Sequence, residues 1–484
     1  MARTERAPDP LAAGAAGARL ARGGSLRIAA YAVAITLSVA VLPFVTRHLG
    51  RVAYGRYVVV TTLMLIVTAL SEGGIASLGV REFASGDERE RREFMRSLLG
   101  IRIALSGAGA LAAIAFALLA GYPPVEVEGT AIACAGLLLA GVQVTLTVPL
   151  TAALRLRWLA ALDVTPPIVT SIVLIALVLA GAPLLAFFSA AVIAYATGLA
   201  LTAALVRGQV ALRPAFDRTR WLTLLRDSAV FAAATALATI YFQIVLVATS
   251  VIASSQQTGS FSIAFRVLTV VNGIAVVLVS SAFPVLLRAA QDDDERLRTS
   301  VGGLLEASLL LGGWLSLLVV SAAPFAIRVL GGSKFPGAAS DLRILGAGIA
   351  ATYVSAVLAM TLLSARAYAL LIAIGVAMIA LSIALCATLI PSHGAHGAAL
   401  VTLTLELVLV CVYGVVVLVT QPALRPPLAR AARIAAAVGI GFVAALVPAL
   451  SPVVAALVGS AALALSALAL RAIPTELRAL VRPR

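Results

Sequence analysis

Between Ser260 and Leu287 a single ionisable residue, Arg266, interrupts a run of apolar side chains. The run exceeds the ~20 residues a helix needs to cross a bilayer, so it predicts a membrane-spanning helix with a guanidinium about two turns inside it. Such a group costs ~2.5–3.5 kcal/mol at the centre of a span and is tolerated where it faces a water-filled cavity or a partner. Arg266 therefore either snorkels to the nearer helix end or lines a polar path, and a cationic path calls for an anionic substrate. Asn272 and Gln243 are the neutral polar groups in neighbouring apolar sequence that could share such a path.

Acids inside apolar runs are few. Glu406 lies well inside the run 397–420, Glu72 towards the end of 57–78, and Glu306 near the start of 303–330. A buried carboxylate couples transport to protons or sodium, or else closes a helix-end or interhelical hydrogen bond. Glu406 and Glu72 are the ion-coupling candidates. Arg47, Arg51 and Arg56 crowd the first connection, where they either catch an anionic head group or sit solvated beside lipid. Asp292-Asp293-Asp294 reads as a solvated turn before a helix. His48, His393 and His396 fall in short connections at unrelated places and suggest neither metal nor catalytic chemistry, and Cys134, Cys386 and Cys411 sit unpaired in apolar runs.

The elements that must position these groups follow from composition. Of 484 residues 62% are hydrophobic and 12% charged, far below the roughly 25% charge of a soluble domain. Apolar runs of spanning length occur at about 26–46, 57–78, 99–120, 130–150, 160–182, 184–206, 229–252, 260–287, 303–330, 342–364, 368–390, 397–420, 431–449 and 452–471. The pattern predicts an all-α polytopic membrane protein of about 14 transmembrane helices. The net charge of +15 resides in short connections, not in one polar domain, so it marks topology and not nucleic-acid binding. Only Arg47, Arg51, Arg56, Arg328, Lys334 and Arg343 fall in odd-numbered connections, and Arg266 alone is assigned to a span; the other basic residues, Arg102 among them, are assigned to the tails and even-numbered connections. By the positive-inside rule both termini face the cytoplasm of a bacterial cytoplasmic membrane.

The two halves echo each other. Tyr54-Gly55-Arg56-Tyr57 opens the second run and Thr258-Gly259-Ser260-Phe261 the eighth; Asp87-Glu88-Arg89 and Asp294-Glu295-Arg296 follow those runs. This predicts a cytoplasmic tail (1–25), an N-terminal six-helix bundle (26–206), a cytoplasmic linker (207–228), a C-terminal six-helix bundle (229–420), two peripheral helices (431–471) and a cytoplasmic tail (472–484). Parallel repeats of this kind flank a central cleft suited to alternating access.

Four stretches carry a resemblance: Leu42-Pro43-Phe44-Val45-Thr46-Arg47-His48-Leu49-Gly50-Arg51-Val52-Ala53-Tyr54-Gly55-Arg56-Tyr57; Gly259 to Arg266; Gly331 to Ala339 with Leu342-Arg343-Ile344-Leu345; and Leu389 to Ala399. In this order they resemble the polysaccharide flippase family, the Wzx-type lipid-linked oligosaccharide transporters of the multidrug/oligosaccharidyl-lipid/polysaccharide superfamily. The resemblance implies a MATE-like fold and a non-enzymatic flippase that carries an undecaprenyl-pyrophosphate-linked oligosaccharide across the membrane through a cationic central cavity, with no cofactor. It implies membrane lipids and polysaccharide-assembly proteins as further partners. Arg266 is then the foremost substrate contact, with Arg47, Arg51, Arg56, Asn272 and Gln243 behind it. Tyr241-Phe242-Gln243-Ile244-Val245 departs from the family pattern, having valine where an aspartate is expected, which weighs against a cation site there. The competing readings are an exporter of small organic cations on the same fold, which would want a carboxylate-lined cleft, and an integral-membrane glycosyltransferase or polymerase, which would want a large external loop.

Overall fold

In the computed structural model the described residues are 10–72, 79–80, 82–83, 87–207, 213–292, 294–421, 428–447 and 450–472. They form helices: α1 (Pro10–Glu72), α2 (Glu88–Leu119), α3 (Pro124–Leu146), the short α4 (Val148–Ala152), α5 (Leu156–Leu179), the short α6 (Leu184–Phe187), α7 (Ser189–Leu205), α8 (Arg218–Ile252), α9 (Ser255–Asp292), α10 (Asp294–Gly331), α11 (Ala338–Ala347), α12 (Ile349–Ser364), α13 (Tyr368–Thr420), α14 (Leu428–Ala445) and α15 (Pro452–Ala469). A 3-10 turn, Gly332–Lys334, joins α10 to the segment before α11.

Two helices are each a pair of spans. α1 breaks at Gly50 (φ 70°, ψ −178°) and α13 at Gly394 (φ 55°, ψ −128°), left-handed backbone that a side chain would strain. Ten helices among the described residues are long and apolar enough to cross a membrane, and α11 with α12, bent by 41°, makes an eleventh. Dividing α1 and α13 at their glycines and adding α14 brings the number to about 14. The chain is a multi-pass membrane protein.

Hydropathy locates the apolar part of each helix and not its ends. α2 starts at Glu88, well before the apolar run at 99, because Asp87 and Glu90 form a capping box: the Asp87 carboxylate accepts from the Glu90 amide at 2.8 Å and the Glu90 carboxylate accepts from the Asp87 amide at 3.0 Å. α8, α9 and α10 likewise start before the apolar runs at 229, 260 and 303. His393 and His396, expected in a connection, flank the non-helical Gly394 at the adjoining ends of the two arms of α13. Of the tail 1–25, residues 10–25 belong to α1 and residues 1–9 lie outside the described residues, as do Asp293 and residues 473–484.

Backbone contacts group the chain into two compact units: Met1–Leu42 with Leu70–Ala232, and Pro43–Ala69 with Ala233–Arg484. The break at Gly50 and the arm after it thus group with the second unit. In the first unit, Phe94, Met95, Leu98 and Ile101 of α2 pack with Leu146, Leu150, Leu159 and Leu162 into one buried cluster. α3 meets α7 at Gly136, where an added Cβ would lie 3.3 Å from the Ala191 backbone, the small-residue packing that lets helices approach in lipid. In the second unit α10 lies against α9, α11, α12, α14 and α15.

Candidate functional site

The four stretches singled out in the sequence converge at one end of the second unit. After the Gly50 break, α1 crosses α9 with backbone nearly touching: a Cβ on Gly55 would lie 2.8 Å from the Gly259 Cα, and one on Gly259 would run into the Arg51 carbonyl. Glycine is needed at both places by the close approach. Thr46, fully buried, donates to the Leu330 carbonyl. Tyr54 is 1% exposed, and its ring meets Phe335 edge-on at 6.1 Å. The third and fourth stretches join through His396, whose Nδ1 lies 3.3 Å from a carboxylate oxygen of the buried Asp341. Gly394 lies against the Gln257 side chain.

All three hairpin arginines have partners. Exposed Arg47 donates to the Val329 carbonyl at 2.8 Å, while Lys334 donates to the carbonyl of Arg47 at 2.7 Å. Arg51 donates to Gln256 Oε1 at 2.6 Å. Arg56 is half-buried. Their geometry first of all fastens the hairpin to α9 and to the end of α10.

Arg266 is different. It is half-buried on α9 and makes no hydrogen bond or ion pair with any other described residue. Its charge reaches the phenols of Tyr54 and Tyr57, both delivered by the arm of α1 after Gly50. A guanidinium with two phenols and no carboxylate keeps its fork of donors for something else. Phe242 and Phe265 stack at 5.1 Å, so Gln243 and Arg266 each follow one ring of that contact in sequence. Gln243 is 6% exposed, and its Oε1 is buried without a hydrogen-bond partner. Both amide atoms of Asn272 are likewise buried and unpartnered among the described residues. Tyr54 and Tyr57 are the site residues the sequence did not mark, since only the long-range crossing at Gly55 and Gly259 puts them near Arg266.

The acids separate in the same manner. Glu72, in the first unit, accepts from Arg102 at 3.3 Å, and Arg102 also donates to the Ser71 carbonyl at 2.6 Å. Arg102 therefore belongs to no connection: it is 4% exposed in mid-α2 and caps the end of α1. Glu306, 7% exposed, lies 3.6 Å from Arg430. Glu406, 4% exposed on α13, has hydroxyls as its hydrogen-bond partners among the described residues: Tyr241 at 3.5 Å from Oε1, and Thr352.

Among the described residues the architecture is all-helical and multi-pass, and comparisons with known proteins agree with it. A family model described as "Polysaccharide biosynthesis protein" matches residues 20–290, more than half of the chain; the chain belongs to that family. Among solved structures, the lipid II flippase MurJ in an inward closed conformation superposes with a TM-score of 0.71 at 12% identity, covering 94% of this chain and 100% of that one. A multidrug resistance MATE family transporter of the MOP superfamily, inward-facing, gives 0.67 at 12% identity over 83% of this chain and 99% of that one. The Vibrio cholerae MATE transporter VcmN, as a point mutant, gives 0.55 at 12% identity over 84% and 98%. At such identity these likenesses establish the fold. Curated proteins give no significant match. The fold is thus that of MOP-type flippases and transporters, as the resemblance implied.

Proposed function

We propose that the chain flips an undecaprenyl-pyrophosphate-linked oligosaccharide across the bacterial cytoplasmic membrane by alternating access, for assembly of a surface polysaccharide. It acts without covalent chemistry of its own, and both termini lie in the cytoplasm. The observation that carries this reading is Arg266, a half-buried cation within a membrane span that makes no hydrogen bond or ion pair with any other described residue. A pyrophosphate offers several anionic oxygens to a planar fork of donors, and charge-assisted bonds of this kind are about twice as strong as neutral ones. Tyr54 and Tyr57 supply neutral hydroxyls beside the guanidinium, and the buried amides of Asn272 and Gln243 supply further donors for phosphate or sugar. Arg47, Arg51 and Arg56 act in the hairpin that holds Tyr54 and Tyr57 in place.

The test is complementation. In a strain lacking the chain, the native protein restores surface glycan and Arg266→Ala at matched membrane abundance does not; Arg266→Lys, which keeps charge and loses the fork, restores a fraction. Normal surface glycan with Arg266→Ala would remove the central premise.

A further inference from the structure

Within the second unit, helices α8, α12 and both arms of α13 line an open-mouthed cavity of about 330 Å³. Its walls are mostly apolar, with Met360 and Met378 among them, and Glu406 with the hydroxyl residues Thr235, Tyr241, Thr352, Ser355 and Tyr413 supplies its polar groups. Among the described residues Glu406 is its one carboxylic acid, and the Oε2 atom is buried with no hydrogen-bond partner among them. Tyr413 lies within electrostatic reach of the same carboxyl group. Glu306 shows how the second unit treats a buried acid it needs only for packing: Arg430 stands at 3.6 Å. Glu406 has no basic partner among the described residues.

We infer that this cavity is a binding site for a compact hydrophobic ammonium ion, whose charged nitrogen faces Glu406 Oε2 and whose hydrocarbon body fills the space between the methionines. Each competing occupant leaves something over. An anion is repelled by the carboxylate. A bare metal cation finds a single carboxyl group among five hydroxyls, and has no use for a volume of drug-sized order lined mostly with hydrocarbon. A neutral lipid chain matches the walls and leaves the buried Glu406 Oε2 without a hydrogen-bond partner, which is costly. A protonated amine satisfies both: it supplies the charge that makes an ionised Glu406 affordable in a low dielectric, and the Tyr241 and Tyr413 rings offer it cation–π faces. The site is separate from Arg266 in residues and opposite to it in charge. It would make flipping sensitive to lipophilic amines without making them the cargo.

The experiment uses the full-length protein in lipid nanodiscs with adamantan-1-amine as probe and the isosteric neutral adamantan-1-ol as control, binding being read by calorimetry. The amine is expected to bind saturably at one site, at least tenfold more tightly than the alcohol, and at least tenfold more weakly to Glu406→Gln. Ala359→Leu, which narrows the cavity and leaves the carboxyl group alone, is expected to weaken the amine to the same degree; this second variant carries the test if Glu406→Gln does not fold. Equal binding of amine and alcohol, or amine binding that survives Ala359→Leu, would overturn the proposal. So would stabilisation by sodium chloride over choline chloride that depends on Glu406 in a protein indifferent to the amine, which would make the site one for a small inorganic ion.

Discussion

Two arginines sit deep in apolar helices, and their surroundings differ. Arg102, in the first unit, spends its donors on the Ser71 carbonyl and the Glu72 carboxylate and is 4% exposed. Arg266, in the second, has two tyrosines nearby and no hydrogen bond or ion pair with another described residue. Desolvating a guanidinium is costly at either place, more so at the more deeply buried Arg102, and the offset differs: an internal partner for Arg102 and, in the function proposed above, an external one for Arg266. Glu306 and Glu406 repeat the contrast for carboxylates. A membrane-embedded charge with a protein partner is part of the packing, and one without is a place reserved for a ligand.

Substitutions can break this contrast or sharpen it. The largest effect is expected at Arg266: Arg266→Ala should lower the flipping rate at least tenfold while leaving the thermal midpoint of the purified protein within about two degrees, because no internal bond is lost. Arg102→Met should do the reverse. Losing a charge-assisted pair together with a helix-end carbonyl bond should cost about 1.5–3 kcal/mol, read by denaturation in detergent, with unchanged flipping per folded molecule. A loss of flipping at full stability would instead make Arg102 part of the path. Gly259→Ala pushes a methyl group into the Arg51 carbonyl and should cost about 1–3 kcal/mol through overpacking; an unchanged midpoint would show that the crossing of α1 and α9 is looser than its geometry. The smallest effect belongs to Glu72→Gln. The Glu72 side chain is 46% exposed, so its pair is worth no more than about 1 kcal/mol. If that variant keeps its stability and loses a dependence of flipping on the proton or sodium gradient, Glu72 is an ion-coupling group after all.

Much of the architecture was legible in the sequence. Run length and hydropathy report lipid-facing surface directly, so the spans were readable, including the pairs that meet at the Gly50 and Gly394 breaks. Helix ends were not, because capping and polar extensions decide them, and this hid Arg102. Standing just beyond the cluster Arg89, Arg91, Arg92 and Arg96, it read as one more cytoplasmic anchor. The signal that would have corrected this was present: Asp87 with Glu90 three residues on starts a helix at Glu88 and carries Arg102 four turns into it. The singularity of Arg266 was legible because it is a property of one helix. Its tyrosines were not, since Tyr54 and Tyr57 reach it only through the meeting of Gly55 with Gly259, some two hundred residues apart in sequence. The cavity around Glu406 likewise draws on α8, α12 and α13, which no periodicity in one helix could join.

The most direct test of the contrast is flipping of a labelled lipid-linked oligosaccharide in liposomes holding purified protein, with the native chain, Arg266→Ala and Arg102→Met compared at equal folded amounts. The account predicts movement with the native chain and with Arg102→Met, and its loss with Arg266→Ala. Full flipping by Arg266→Ala would contradict it, because the unpaired arginine would then have no substrate to meet.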